Sequence, residues 1–268
     1  MANKKIKPPA AVICSIEEAE ISYQLCKEEL KQVRDMLVDS GTKLTRKRVG
    51  TRLHPVTYWD TRKFRLLGLM IELRSKERKT KDGYNHDLKI PIPKKKAWKS
   101  VDKRVRQRYE IKCKKQETDH PDLWNFQKAE PLKAMWKRCV LWLTKKKLRA
   151  RAEAHFQSFV AEREIAGGCV EYKLEVGYFS DPANGRHRSD WIYLFEIEHK
   201  SGKKAAINAA IEELETALPF LKKRLQATPK IVMAFDILHS HNLLTKKKYE
   251  RSYLKARSRF MEQMPKPE

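Results

Sequence analysis

The residues best suited to chemistry in this 268-residue chain lie in Ser189–Gly202, SDWIYLFEIEHKSG, where Asp190, Glu196, Glu198 and Lys200 recur at even intervals in an apolar, aromatic run. A strand with a period of two places all four on one face. Burying such a row is costly unless it is compensated. A divalent cation held by the carboxylates, with a lysine beside it, is one arrangement that does so. The segment is therefore a candidate for metal-assisted phosphodiester cleavage.

Elements that would position this segment follow from the flanking pattern. A helix is expected from about Ile16 to Ser40, with Ser15 and Glu18 as a capping box and Gly41 at its end. Leu148–Ile165 is expected as an amphipathic helix ended by Gly167–Gly168. Val170–Phe179 and Trp191–His199 are expected as strands around the Asp181–Gly185 turn. A long helix after Gly202, a buried strand Ile231–Ile237 and a basic terminal helix complete the order.

Charge divides the chain. Basic residues number 59 against 34 acidic ones, a formal net charge of +25, which points to a polyanionic partner. Residues 42–115 hold 25 Lys/Arg and 7 Asp/Glu, whereas residues 150–240 hold 12 and 13. This suggests a basic region that neutralises phosphates beside a core that needs carboxylates. Arg46, Lys47, Arg48, Arg52, Lys94, Lys95, Lys96, Arg104, Arg106 and Arg108 are the candidate nucleic-acid contacts. Four segments follow: an N-terminal helix (1–41), a basic nucleic-acid-binding region (42–140), a nuclease-like core (141–245) and a basic tail (246–268). Five scattered cysteines without a CxxC pair argue against a disulfide framework or a zinc cluster. With no bilayer-length apolar stretch and no apolar signal core at the N-terminus, the reading is no membrane and no secretion. The expected location is cytoplasmic, nucleoid or nuclear.

An acid opening a strand that ends in Glu198-His199-Lys200, within helix, strand, strand, helix and buried strand, resembles the restriction-endonuclease-like, or PD-(D/E)XK, nucleases. The resemblance covers residues 145–238 and implies an α/β (α+β) fold with a basic, largely helical N-terminal region. It implies a Mg²⁺- or Mn²⁺-dependent endonuclease acting on DNA, RNA not being excluded, and a possible homodimer. Asp190, Glu198 and the His199 carbonyl would bind the metal, Lys200 would orient the attacking water, and Glu153 would add an acid from the first helix. Asp190 and Glu198 are eight residues apart, about 26 Å if fully extended, so the strand must bend. If it does not, Glu175 or Asp181 becomes the alternative acid. Glu196 also has the parity to reach the site.

Two other readings compete. EIEHK also resembles the ExExK signature of triphosphate tunnel enzymes, which act on triphosphates with a metal held by glutamates in a closed tunnel of charged strands following the motif. Only 68 residues follow Lys200, too few for that arrangement. The alternative from a different class is a non-catalytic nucleic-acid-binding or packaging protein.

Overall fold

The computed structural model describes residues 12–49, 55–77, 83–92, 96–116, 118–126, 147–226 and 228–262. Its centre is a closed ring of eight antiparallel strands. In chain order these are β1 (Val12–Leu25), β3 (Val56–Thr61), β4 (Glu72–Glu77), β5 (Tyr84–Pro91), β6 (Arg106–Gln116), β7 (Leu148–Ile165), β8 (Gly168–Asp181) and β10 (Ile192–Gly202). Around the ring the order is β7-β3-β4-β5-β6-β1-β10-β8, and β8 pairs back onto β7 to close it. Two short strands, β2 (Thr45–Val49) on β7 and β9 (Asn184–Arg188) on β8, lie outside the ring.

Closure changes what alternation means in these strands. Along β1, Ala19, Ile21, Tyr23 and Leu25 face outward into an apolar cluster, while Glu18, Glu20 and Ser22 face the interior of the ring. The outer face is covered by α1 (Lys27–Asp39), through Leu30, Val33 and Leu37, and by α2 (Ala205–Ala217), through Ile207, Ile211 and Leu214. Helix α1 begins at Cys26, whose backbone N–H donates to Glu29 Oε2 at 2.9 Å, a reciprocal cap with the glutamate at the third helical position. Under these helices the wall is thus apolar outside and charged inside, opposite to a small barrel with a side-chain-filled apolar core.

At one end of the ring the inward positions turn apolar. Tyr58, Ala152, Ala154, Phe156, Phe179 and Leu194 pack against α3 (Lys230–Ser240) and α4 (Lys247–Glu262). Phe235 of α3 and Tyr253 of α4 are fully buried there, and Phe64 packs on both rings, 5.8 and 5.0 Å between centroids. Gly177 allows this end to close tightly, because a Cβ on it would lie 2.2 Å from the His155 carbonyl oxygen.

This architecture overturns the expected α/β restriction-endonuclease-like fold with a largely helical N-terminal region. Ile16–Ser40 is not one helix: the charged-inside, apolar-outside alternation makes strand β1 before α1 starts at Lys27. Leu148–Ile165 is strand β7, not a helix. Apolar residues lie on both its faces, Phe156 buried toward the ring end and Phe159 half-buried against the outer cluster, so together they mimic a helical stripe. Ile231–Ile237 is helix α3, not a strand, because the floor of the ring and α4 enclose it. The two strands before and after the Asp181–Gly185 turn form within about three residues of expectation, and the terminal helix spans Lys247–Glu262, but the long helix expected after Gly202 ends at Ala217, where Pro219 opens a 3-10 turn. Among the described residues no helix is long and apolar enough to cross a membrane.

Candidate functional site: a charged lumen

Inward positions of the ring enclose a cavity of about 300 Å³ lined by nine Lys/Arg and eight Glu. Each strand supplies its share by parity: Glu72, Arg74 and Lys76 from β4, Lys89 from β5, and Arg106, Arg108, Glu110 and Lys112 from β6. Across β8, β10 and β1, the carboxylates Glu171, Glu198 and Glu20 form one row of direct cross-strand partners. Like charges placed directly opposite repel, so this row requires cations among its members.

Those cations are present at short range. Glu20 receives Arg106 at 2.9 Å and Arg108 at 2.8 Å, and Lys200 reaches Glu198 at 2.7 Å and Glu171 at 3.1 Å. Arg74 lies 3.1 Å from Asp87 and 3.0 Å from Glu110, while Lys112 meets the other Glu110 oxygen at 2.7 Å. Deeper in the lumen Lys173 joins Glu175 at 2.7 Å and Glu196 at 3.2 Å. Lys230, carried by α3, contacts the same two carboxylates, Glu196 at 3.0 Å. All of these carboxylates but Glu198 are nearly fully buried, whereas Lys76, Lys112 and Lys200 are about a third exposed and mark the open mouth.

Burial and neighbouring charge set the protonation of this wall. Burial alone would raise Glu20, but Arg108 and Arg106 outweigh it and hold its carboxyl at about 2. Glu196 is likewise held well below the usual range, burial being outweighed by Lys230, Lys173 and Arg106. Glu18 moves the other way: burial raises it beyond what Lys89 and Arg108 restore, and Glu20 and Glu198 push it further up. Its Oε1 accepts from Lys89 Nζ at 2.5 Å, yet its buried Oε2 accepts no hydrogen bond.

That oxygen, 3.3 Å from Arg108 Nη2 and beside Glu20 and Glu198, is chemically suited to a hard divalent cation, which takes carboxylate oxygens. Among the described residues, no three His, Cys, Asp or Glu side chains are already arranged around one ion position. The carboxylates are instead turned to their lysines and arginines, and a cation would exchange with those partners.

The structure brings some of the residues singled out in the sequence together and separates others. Glu198 and Lys200 share the lumen and are hydrogen-bonded. Asp190 is exposed, just before β10 begins at Ile192, at the end of the strand opposite Glu198. The strand runs on without the bend that convergence required. Glu153 is on β7, facing outward, 3.6 Å from His155. The His199 side chain is buried on the outer face, edge-on to Trp98 at 5.2 Å. Of the alternative acids, Glu175 lines the lumen, while Asp181 lies by the β8–β9 turn near His187.

The basic candidates also divide. Arg106 and Arg108 line the lumen, so they are no outward-facing surface for a nucleic-acid backbone. Arg104 is held by Asp102 and Glu215, each at 2.7 Å, and Lys96 is exposed. The side chains of Arg46, Lys47 and Arg48, together with Arg52, Lys94 and Lys95, lie outside the described residues. Reading the sequence missed Glu18, Glu20, Glu72, Arg74, Lys89, Glu110 and Lys173, and set Glu196 aside. The signal for the first pair was present: Glu18-Ala-Glu20 alternates with Ala19, Ile21 and Tyr23 at the start of a series of charged segments.

No family model and no curated protein sequence matches the chain. Solved structures do share its outline. A proposed adenylate cyclase from Bacillus halodurans is 16% identical, with a TM-score of 0.41 over 76% of this chain and 90% of that one. HpAC1 from Hippeastrum, a proposed adenylyl cyclase described with a dominant triphosphatase activity, is 13% identical with a TM-score of 0.43, over 75% and 87%. The PH1012 protein of Pyrococcus horikoshii OT3 is 12% identical with a TM-score of 0.42, over 81% and 98%. The closed antiparallel ring itself overturns the nuclease assignment, and with it the resemblance from which an endonuclease activity and a DNA partner were expected. The class that fold and site define is an antiparallel barrel with a charged, ion-paired lumen.

Proposed function

We propose that the lumen binds the phosphate chain of a triphosphate and hydrolyses its terminal anhydride, with Mg²⁺ or Mn²⁺ as cofactor. One observation carries this reading: arginines, lysines and glutamates line the interior of a closed wall, where a compact polyanion and a divalent cation can each take charged partners from it. The activity described for the Hippeastrum protein is of the same class, but the reading rests on the lumen.

Arg106, Arg108 and Arg74 present guanidinium groups that match phosphate oxygens in paired hydrogen bonds, and Lys89 and Lys200 add point charges. Glu18, Glu20 and Glu198 would hold the divalent ion. When bound, the ion supplies Lewis-acid polarisation of phosphate oxygens and offsets developing charge. The arginines fix the chain so that a water can attack the terminal phosphorus in line, breaking the P–O–P bridge and releasing orthophosphate and diphosphate. Ser22 occupies the third position of Glu18-x-Glu20-x-Ser22, where an ExExK motif carries lysine. Arg106 donates to the Ser22 hydroxyl and brings a cation to that place.

The test is orthophosphate release from tripolyphosphate and from ATP with Mg²⁺ or Mn²⁺, compared with a supercoiled plasmid under the same conditions. Phosphate release with an intact plasmid is expected. No release from any triphosphate under either metal defeats the reading.

A further inference from the structure

Resting on that reading of the lumen, we propose that the chamber has a single opening and takes a phosphate chain only by a free terminal phosphate, so that chains capped at both ends are excluded. The floor carries the argument. At that end the inward residues Tyr58, Phe156, Phe179 and Leu194 form one apolar cluster with Phe235 of α3 and Tyr253 of α4, all of them nearly or fully buried. Tyr58 meets Phe179 and Phe235 edge-on at 6.3 and 6.5 Å.

Charge fastens the same floor. Lys230, the first residue of α3, reaches into the lumen and bridges Glu175 of β8 and Glu196 of β10. Lys173 bridges the same pair from the wall, so two ammonium groups and two carboxylates balance. Among the described residues lining the floor of the lumen, this quartet leaves no uncompensated cation to draw a polyanion through, and an anionic chain gains nothing by crossing the apolar plug behind it. At the other end Lys76, Lys112 and Lys200 are about a third exposed.

From Lys200 at the mouth to Glu196 at the floor is four residues of strand, about 13 Å of wall. A terminal phosphate can lead a short chain into that depth while an organic group stays outside the mouth. A chain with a nucleoside at both ends has no leading phosphate. Its middle cannot be threaded through a closed floor, and a nucleoside sent ahead would have to enter a small chamber walled by ion pairs.

Three ligands separate the cases, with Mg²⁺ present: tripolyphosphate and ATP, which have a free terminal phosphate, and diadenosine pentaphosphate, which has none. The thermal unfolding midpoint reads binding, and chromatography of the products reads cleavage. Tripolyphosphate and ATP are expected to raise the midpoint by about 4 °C or more at saturation, with diadenosine pentaphosphate leaving it unchanged and remaining intact. An equal shift with, or cleavage of, diadenosine pentaphosphate overturns the single opening. Binding of tripolyphosphate and ATP without cleavage, and no binding of the capped chain, upholds the opening and defeats the hydrolytic reading. Failure of all three to bind overturns both.

Discussion

Glu20 and Glu198 are direct cross-strand partners on the β1–β10 ladder, both pointing into the lumen, and they coexist because Arg106, Arg108 and Lys200 bind them from the sides. If they hold the divalent ion, Glu20→Gln and Glu198→Gln should each lower phosphate release about 100-fold or more. Asp190→Asn and Glu153→Gln, outside the lumen, should leave it unchanged. Steady-state rates on tripolyphosphate decide this. Equal losses at all four positions would remove the lumen from the chemistry.

Chelation should stop phosphate release without unfolding the protein, because the wall is already neutralised by its own lysines and arginines. Far-ultraviolet circular dichroism should be the same before and after EDTA treatment, and added Mg²⁺ or Mn²⁺ should restore the rate. Loss of the β-sheet signal on chelation would instead make the metal structural.

Stability should depend on pH in two opposing ways. Glu20, held at about 2, and Glu196 and Glu110, also held low, stabilise the fold above their ordinary value of 4.5, and that contribution is lost as pH falls toward 2. Asp60 has the reverse sign. Burial outweighs the backbone N–H donors of Leu67, Leu66 and Thr61 and pushes its carboxyl up to about 6. Its contribution is present below 3.8 and declines by about 3 kcal/mol as pH rises through 6. Urea unfolding from pH 3 to 7 should show a steep acid limb. In Asp60→Asn the decline between pH 4 and 6 should shrink, leaving what Glu18, also raised, contributes, and a slope parallel to that of the parent protein would refute the assignment.

Lys230→Met keeps the aliphatic stem but removes one of the two cations shared by Glu175 and Glu196. Removing one partner of a buried ion pair costs about 3–5 kcal/mol, and Lys173 should hold the loss to the lower end of that range. Adding Glu175→Gln should recover part of it, since the neutral side chain needs no second ammonium. Urea midpoints of the single and double variants measure this. An additive double variant would mean that Lys230 does not fasten α3 through Glu175.

How far the sequence discloses this protein depends on which face of a strand it is safe to presume buried. Glu198 and Lys200 were legible because EIEHK alternates cleanly, and the turn at Asp181–Gly185 and the helix after Gly202 carry strong local signals. β1 was not, because Glu18 with Ser15 imitates a helix cap and the charged alternate positions look solvated. β7 was not, because Phe156, buried, and Phe159, half-buried, lie on opposite faces of the strand. The tunnel resemblance was set aside on the count of residues after Lys200, whereas most of the charged strands of the ring precede EIEHK in the chain, beginning with Glu18 and Glu20 on β1. Basic composition misdirected the search for a partner in the same way, since Arg106 and Arg108 belong to an interior.

A wall with helices on its outside and ions on its inside has no indifferent face. Sliding β1, β8 or β10 by one residue would drive glutamates and lysines under the helices and leave residues such as Ile21, Leu174 and Ile197 among the charges of the lumen, a double error that a half-solvated sheet does not face. The alternation that equips the lumen therefore also proofreads the pairing of the strands that build it.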